Sequence, residues 1–589
     1  MRIPQLLQKN KSIPSVFPKW ESRGDKLFLR TLKIKSKKVS QYHSIILGRK
    51  AYHPLSLKNK ISKELRRMLM SKKKKDKYTQ ARQLLQKYDL TGMMREAKKL
   101  SRRFVLHIGP TNSGKTYQSI EALKQAKTGV YLGPLRLMAL EVFDKLNLAG
   151  CPCTLLTGEE FEPVPEARVT ASTIELCDYG AKYEVAVIDE AQMIGDWSRG
   201  ANWTKAILAV NAEVVHICMA PEAEDIITKL LSDIEAPFEI VRHERLTPLS
   251  YSGALSNLNQ VRDGDALIAF SRRNVLSLAA EMERTGRKVS VIYGALPPAA
   301  RREEVRKFES KETAVVVATD AIGLGVSLPI KRIIFCATAK YDGEDFRNLR
   351  PEEVKQIAGR AGRYGIHKKG EVLILSDNEW VITSGLKSKV DPIKTLYIPF
   401  PKETLDTPFD LDVLLHAWDT LPGEKGVARQ DMTEAQLLLD YSDNYFPGAS
   451  KQMKFQLITC PVDANSSELV GFWGDCCEAI AEGRTPPMPY FGDDSLEACE
   501  KQYRAYDIRH QLLRRVGIEE PHLIEKEELI RKINWYLLTA KKSYVRKCSR
   551  CGCKLPFNHP YGICEDCYEE QRQAYKRRWD DWEDEEEDV

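Results

Sequence analysis

The sequence predicts an α/β chain: two tandem doubly wound parallel-sheet domains, then a mostly helical C-terminal region and a small zinc ribbon. Three observations predict it. Short, continuous Val/Ile-rich runs alternate with helical segments between 104 and 385. A glycine-rich loop follows the first run and opens a helix. Two Cys-x₂-Cys pairs sit within 548–567. At 589 residues the chain has room for three to five domains. Its 43% hydrophobic and 29% charged content excludes collagen-like, mucin-like and wholly disordered classes. No run approaches the roughly 18 apolar residues of a membrane span, so no membrane partner is expected.

Residues 1–103 hold 30 Lys+Arg against 6 Asp+Glu, a net of +24. They read as a basic region, helical or partly disordered. The last ten residues carry 8 acids, and the 476 between hold 60 bases against 68 acids, returning the total to +8. Such polarity points to a polyanion partner, though a charge run is also read as a solvated face. The opening residues lack a secretory apolar core. They are basic and poor in acids, as a mitochondrial transit peptide would be, but richer in Lys than Arg and without a clean amphipathic helix. The 14 cysteines, dispersed except for five in 548–567, suit a reducing compartment. The expected location is the cytoplasm, with the mitochondrial matrix as the alternative.

The first sheet domain spans 104–245, with strands at 104–108, 129–132, 185–188 and 214–218. Gly109, Pro110, Thr111, Asn112, Ser113, Gly114, Lys115 and Thr116 follow the first strand as a full G-x-x-x-x-G-K-[ST]. Its backbone N–H groups suit phosphate oxygens, Lys115 the β/γ-phosphates and the Thr116 hydroxyl Mg²⁺. Asp189 and Glu190 end the buried run VAVI. Asp189 would hold Mg²⁺, and Glu190 would orient and deprotonate the attacking water. A helix-capping glutamate is the competing reading.

The second sheet domain spans 246–385, with strands at 266–270, 289–292, 314–318, 332–336 and 371–375. Here Arg360 and Arg363 stand three residues apart on one helix face, with Gly359 and Gly362 leaving room for close approach. Guanidinium groups stabilise charge on a γ-phosphoryl in flight. The strand and turn 318–325, ending at Gly325, belong to the same nucleotide cleft. Residues 386–405, with three prolines, read as a linker, and 386–540 as a mostly helical accessory region. In 541–570, Cys548 and Cys551, then twelve residues, then Cys564 and Cys567 form a tetrathiolate spacing for structural Zn²⁺. Cys553 and His559 are spares. Nearby Tyr544, Arg546, Lys547, Arg550 and Lys554 suit single-stranded nucleic acid, while a small folding staple explains the ribbon equally well. Residues 571–589 form a basic-then-acidic tail.

The phrases GPTNSGKT, PLRLMALE, TGEE, DEAQ, YGALPP, ATDAIGLGV and QIAGRAGR resemble successive motifs of superfamily 2 helicases. Their wording is most similar to the mitochondrial degradosome RNA helicase family, which also has bacterial members. The resemblance covers 104–375 and continues weakly to FQLITCPVD at 455–463. It implies two RecA-like domains with ATP in their cleft, nucleic acid across their tops and 3′→5′ translocation. It further implies that Pro134, Arg136, Thr157, Gly158 and Thr173 touch the sugar-phosphate backbone from the first domain, and Arg272 and Thr319 from the second. Gln356, Arg360 and Arg363 would face the ATP phosphates. Two departures stand out: Cys218-Met219-Ala220-Pro221 replaces the usual Ser-Ala-Thr, and Ile357 stands where many helicases carry an arginine.

The expected function is an ATP- and Mg²⁺-dependent RNA helicase acting on single-stranded or partly duplex RNA in turnover or remodelling, with a nuclease as candidate partner. A DNA or dual-specificity helicase is the alternative within enzymes, since backbone-tracking motifs read shape and charge. A nucleic-acid-clamping scaffold with weak ATPase is the alternative outside them. A small-molecule kinase would leave the second sheet domain without a role.

Overall fold

The computed structural model describes residues 72–573 apart from 324–327, 343–344, 377, 446–447, 493, 519–523, 557–558 and 560. Gly325, most of the basic region and the acidic tail therefore lie outside the described residues. Residues 71–461 and 473–589 belong to one compact unit, which holds every contact below, and 462–472 to another.

The first sheet has eight strands: β1 (Arg103–Ile108), β2 (Gly129–Gly133), β3 (Cys153–Leu156), β4 (Phe161–Glu162), β5 (Val169–Thr173), β6 (Tyr183–Ile188), β7 (Ala212–Met219) and β8 (Phe238–Arg242). Their order is β4-β3-β5-β2-β6-β7-β1-β8, parallel except for the β3–β4 pair. The second sheet comprises β9 (Leu249–Ala254), β10 (Asp265–Ile268), β11 (Val289–Ile292), β12 (Val315–Ala318), β13 (Arg332–Phe335) and, after a hairpin of β14 (Ala339–Tyr341) and β15 (Phe346–Asn348), β16 (Gly370–Ile374). Its order, β11-β12-β10-β13-β16-β9, is parallel throughout. The Val/Ile runs form buried strands: β10 to β13, edge strand β11 included, are buried at every position, as sheets covered on both faces require.

Caps explain where the covering helices start. Ser271 accepts from Asn274 N (3.1 Å) ahead of helix Arg272–Arg284, and Ser495 accepts from Ala498 N (3.1 Å) ahead of helix Leu496–Arg515. One apolar cluster runs from Leu137 and Leu140 in the first domain into Ile322, Leu328 and Phe335 of the second. Another joins the opposite face of the second sheet to Tyr503, Tyr506, Ile533 and Leu537 of helices Leu496–Arg515 and Ile524–Ser543.

One expectation is revised. The supposed linker 386–405 carries strand β17 (Leu396–Ile398), paired with β18 (Val427–Arg429), and packs back on the first domain. Ile393 N donates to Glu222 O (2.8 Å), and its side chain fills the space that a Cβ on Gly195 would need. Pro392 precedes β17, Pro399 follows it directly, and Pro401 caps the 3₁₀ helix Lys402–Asp406. At the other end, helix Lys72–Leu85 docks on helix Leu411–Thr420, with Tyr78 hydroxyl against that of Thr420 and Lys77 paired to Asp410 at 3.2 Å. Nine cysteines, Cys151 through Cys499, are buried. Burial pushes the thiols of Cys153, Cys177, Cys460 and Cys476 up to about 12.

Beneath the phosphate loop, β1 runs between β7 and β8, and three histidines line up across them. His107 Nδ1 lies 3.0 Å from His243 Nε2, and His107 Nε2 lies 2.9 Å from His216 Nδ1. Burial, then the two neighbouring imidazoles, press His107 down to about 4, so the folded state keeps it neutral. The unfolded chain takes up this proton near pH 6.5, the folded one only near 4. Stability should therefore fall as pH drops from about 6.5 towards 4. Thermal melts across that range should show a smaller decline in H107Q than in the wild type, and parallel curves would dismiss the histidine chain as its source.

Candidate functional site

The adjacency β6-β7-β1 brings three sequence-distant loops to one edge of the first sheet. The loop 109–116 leaves β1 through two left-handed residues, Asn112 (φ 63°) and Gly114 (φ 82°), and opens helix Lys115–Gln125. Lys115, buried, donates to the carbonyls of Gly109 and Pro110, both at 3.2 Å. A Cβ on Gly109 would lie 2.6 Å from His243 O, so only glycine fits there.

At the end of β6, Asp189 is fully buried. Its carboxylate accepts from the Tyr131 hydroxyl (2.9 Å), Thr116 Oγ1 (3.3 Å) and Glu190 N (2.9 Å), while Trp203 Nε1 holds its carbonyl at 3.0 Å. Burial, then the adjacent Glu190 charge, push Asp189 up to about 6. A carboxylate so placed beside a hydroxyl, with charge unbalanced by a full ion pair, fits a divalent cation. Glu190 occupies left-handed backbone (φ 50°), an arrangement of the kind that collects at reactive sites. Gln192 donates to the Glu190 carboxylate and accepts from Ala220 N at 3.1 Å. A glutamine bridge thus connects this loop to Cys218-Met219-Ala220-Pro221, the segment that replaces Ser-Ala-Thr. The Cys218 thiol in turn lies 3.0 Å from Ser119 Oγ.

The opposite wall comes from the second domain. Thr111–Thr116, Asp189 and Glu190 share one cleft with Leu328, Gly359, Arg360 and Arg363. The helix ends at Ala358, so Arg360 and Arg363 lie in the turn beyond it and not on the helix face expected. Arg360 donates to Gly323 O (3.1 and 2.6 Å), Arg363 lies 3.4 Å from Glu309, and Gln356 packs beside Gly323. Ile357 is buried in the core, where an arginine would have no partner. Gly359 meets Thr111 so closely that a Cβ would come within 2.7 Å of it.

The residues carried over as backbone contacts lie on the same strand-end edges, and two of them face carboxylates. Arg136 pairs with Glu159 and with Asp507 (3.0 Å), and Arg272 with Glu500 (2.5 Å) and Glu497 (2.6 Å). Tyr293 OH donates to Glu500 (2.5 Å) and Tyr503 OH to Glu159 (2.7 Å). Arg514 donates to Thr157 O (2.6 Å), Gly158 packs against the Arg136 guanidinium, and Arg199 donates to Pro134 O (2.5 Å). Thr173 ends β5, buried, and Thr319 Oγ1 accepts from Ala321 N (3.2 Å). One helix, Leu496–Arg515, thus supplies partners to both domains. The sequence reading missed it, although Glu497, Glu500, Arg504 and Asp507 recur at helical spacing.

The ribbon cysteines converge. Sγ atoms of Cys548, Cys551, Cys564 and Cys567 lie within 4.8 Å of one another, with Cys551 and Cys564 at 3.6 Å. A tetrahedron of 2.3 Å Zn–S bonds needs sulfurs about 3.8 Å apart. Backbone N–H groups of Cys551, Cys564 and Arg550 point at Cys548 Sγ and bring it down to about 5, the thiolate a metal requires. Cys553 and His559 are not in the cluster. Arg546 donates to the carbonyls of His559 and Tyr561, and Arg550 to that of Cys567 (3.0 Å), so both arginines knit the ribbon itself.

Comparison with known proteins agrees with this geometry. The model of the DEXQ-box helicase domain of Suv3 matches 91–243, and that of the helicase conserved C-terminal domain matches 251–365. Three curated relatives are ATP-dependent RNA helicases. Mitochondrial SUPV3L1 of Danio rerio is 40% identical over 55% of this chain and 46% of its own length. Mitochondrial SUV3 of Candida albicans is 42% identical over 51% and 43%. Mitochondrial SUPV3L1 of Homo sapiens is 42% identical over 51% and 40%. The chain spans under half the length of each. These mitochondrial relatives overturn the cytoplasmic expectation, which leaned on a Lys-rich opening segment that does not discriminate between compartments. No described helix is long and apolar enough to cross a membrane.

Proposed function

We propose that this chain, which carries a Suv3-type DEXQ-box helicase domain followed by a helicase conserved C-terminal domain, is an ATP-dependent RNA helicase that works in the mitochondrial matrix. One observation carries the reading: the phosphate loop, Asp189–Glu190 and the Arg360/Arg363 turn line one cleft from opposite domains. Thr116 and Asp189 would hold Mg²⁺, which neutralises phosphate charge. Lys115 leaves the loop carbonyls for the β/γ-phosphates, Glu190 orients and deprotonates water, and Arg360 and Arg363 meet the charge developing on the γ-phosphoryl. Gln356 lines the phosphate side, and the loop from Gly109 to Gly114 cradles it.

ATP closes the domains and hydrolysis reopens them, so a strand held by Pro134, Arg136, Thr157, Gly158 and Thr173 on one side and Arg272 and Thr319 on the other advances stepwise, 3′→5′. Gln192 couples Glu190 to the 218–221 segment in place of hydroxyls. RNA as substrate, polarity and a nuclease partner rest on the family likeness. The four cysteines hold one structural zinc.

Either K115A or E190Q should abolish RNA-stimulated ATPase and strand displacement, assayed on 3′- and 5′-overhang duplexes of RNA, DNA and hybrid. Near wild-type turnover in either variant would sink the assignment. Faster unwinding of DNA than RNA would favour the DNA reading.

The ion pairs at Arg136 and Arg272 predict a competition. Removing two opposing charges with E500Q/D507N should tighten single-stranded RNA binding several-fold at low salt and steepen its salt dependence. Weaker binding would show instead that these carboxylates hold the arginines in their binding pose. Elemental analysis should find one zinc per chain, lost in C548S/C551S with a lower melting temperature. A full-strength melt without metal would leave the ribbon stapled by packing alone.

A further inference from the structure

The connector between the two sheets, residues 243–248, is laid along the phosphate loop on one side and the Arg360/Arg363 turn on the other. His243 N donates to Ile108 O (2.8 Å), and Leu246 N donates to Asn112 O (3.1 Å). From the loop, Asn112 Nδ2 reaches Gly362 O at 2.8 Å. Midway stands Arg245, whose guanidinium spans both domains. Nη1 donates to Thr111 O (3.0 Å) and to Gly359 O (2.8 Å), Nη2 donates to Ala361 O, and Nε donates to Thr247 O (2.7 Å). The carbonyls of Gly359 and Ala361 flank Arg360.

Arg245 makes no ion pair among the described residues, and burial lowers its guanidinium to about 10. Placing a cation there without an anion is costly unless its hydrogen bonds are met. The planar fork meets them with carbonyls from three segments, a geometry that a point-charge ammonium does not reproduce.

We propose that Arg245 is a positioning residue for ATP hydrolysis: it ties the turn bearing Arg360 and Arg363 to the phosphate loop through the Thr111 carbonyl, so the arginines' approach follows the state of that loop. This rests on the ATPase reading above. Nucleotide binding draws Lys115 away from the carbonyls of Gly109 and Pro110, and the resulting shift of the loop reaches the second domain through Arg245. The side chain touches backbone carbonyls, not phosphate, and its effect belongs to turnover.

The test uses full-length R245A and R245K, measuring RNA-stimulated ATPase, ADP binding and melting temperature. R245A should lose at least about tenfold in kcat, as misplaced catalytic groups do. ADP affinity should stay within about twofold and the melt should match the wild type, a split that a purely structural role does not produce. R245K, able to reach one carbonyl at a time, should fall between.

Wild-type kcat in R245A would overturn the inference. So would ADP affinity falling in step with kcat, which would make Arg245 a phosphate ligand or a loop scaffold. If R245A does not fold, R245K decides: folded R245K with wild-type kcat overturns the proposal, and reduced kcat with retained ADP affinity supports it. A wild-type chain without RNA-stimulated hydrolysis would overturn the function reading and this inference together, whereas an active wild type with an equally active R245A overturns the inference alone.

Discussion

Parallel strands deliver their carboxyl ends to one edge, and the rest of the molecule depends on that constraint. In the first sheet the neighbours β6, β7 and β1 end at Asp189, Ala220 and Gly109, so a metal-type carboxylate, its coupling segment and the phosphate loop meet without any of them being close in sequence. Pro134 and Thr173 leave β2 and β5 on the same edge. In the second sheet, β10, β11 and β12 lead to Arg272, Tyr293 and Thr319 in the same way. Crevices at strand carboxyl ends are where open α/β sheets bind ligands, and two such edges turned toward one cleft make a two-domain site.

A second regularity is electrostatic. Groups suited to phosphate find surrogates within the chain: Lys115 takes loop carbonyls, Arg360 the Gly323 carbonyl, Arg363 the Glu309 carboxylate, and Arg136 and Arg272 the acids of helix Leu496–Arg515. Lys115 is the buried one among these, and leaving it there unpaired would cost on the order of several kcal/mol. Under the proposed function, ligand binding would be an exchange of partners, its net free energy the small difference between two large interactions. Burial pushes the Glu500 carboxyl up while Arg272 and the Tyr293 hydroxyl pull it down.

Sequence was most informative where a signal is local. The phosphate loop, the strand-end Asp189–Glu190 and the two cysteine pairs depend on residues a few positions apart, and all assemble as their spacing requires. The buried strands were legible because Val/Ile runs have little else to do. Strands β8 and β9 were not: FEIVR and LSYSGA are edge strands, half exposed and polar. The segment 386–405 misled because prolines mark turns equally in linkers and in packed connections. Arg245 carried no motif, since its partners are carbonyls, to which any residue type contributes. The pairing of Arg136 with Asp507 spans 371 positions, and no one-dimensional pattern announces it.

The cysteines divide into two chemical populations. The nine outside the ribbon are buried, several with thiols that burial holds far above neutrality, and the thiolate is the form that oxidants attack. At the ribbon, backbone N–H groups bias Cys548, which is buried, and Cys551, which is exposed, towards thiolate. Peroxide reaching this protein would therefore meet Cys551 of the ribbon before the buried thiols of the two sheet domains. In the proposed zinc site, oxidative damage would register as loss of the metal long before it registered as loss of the fold.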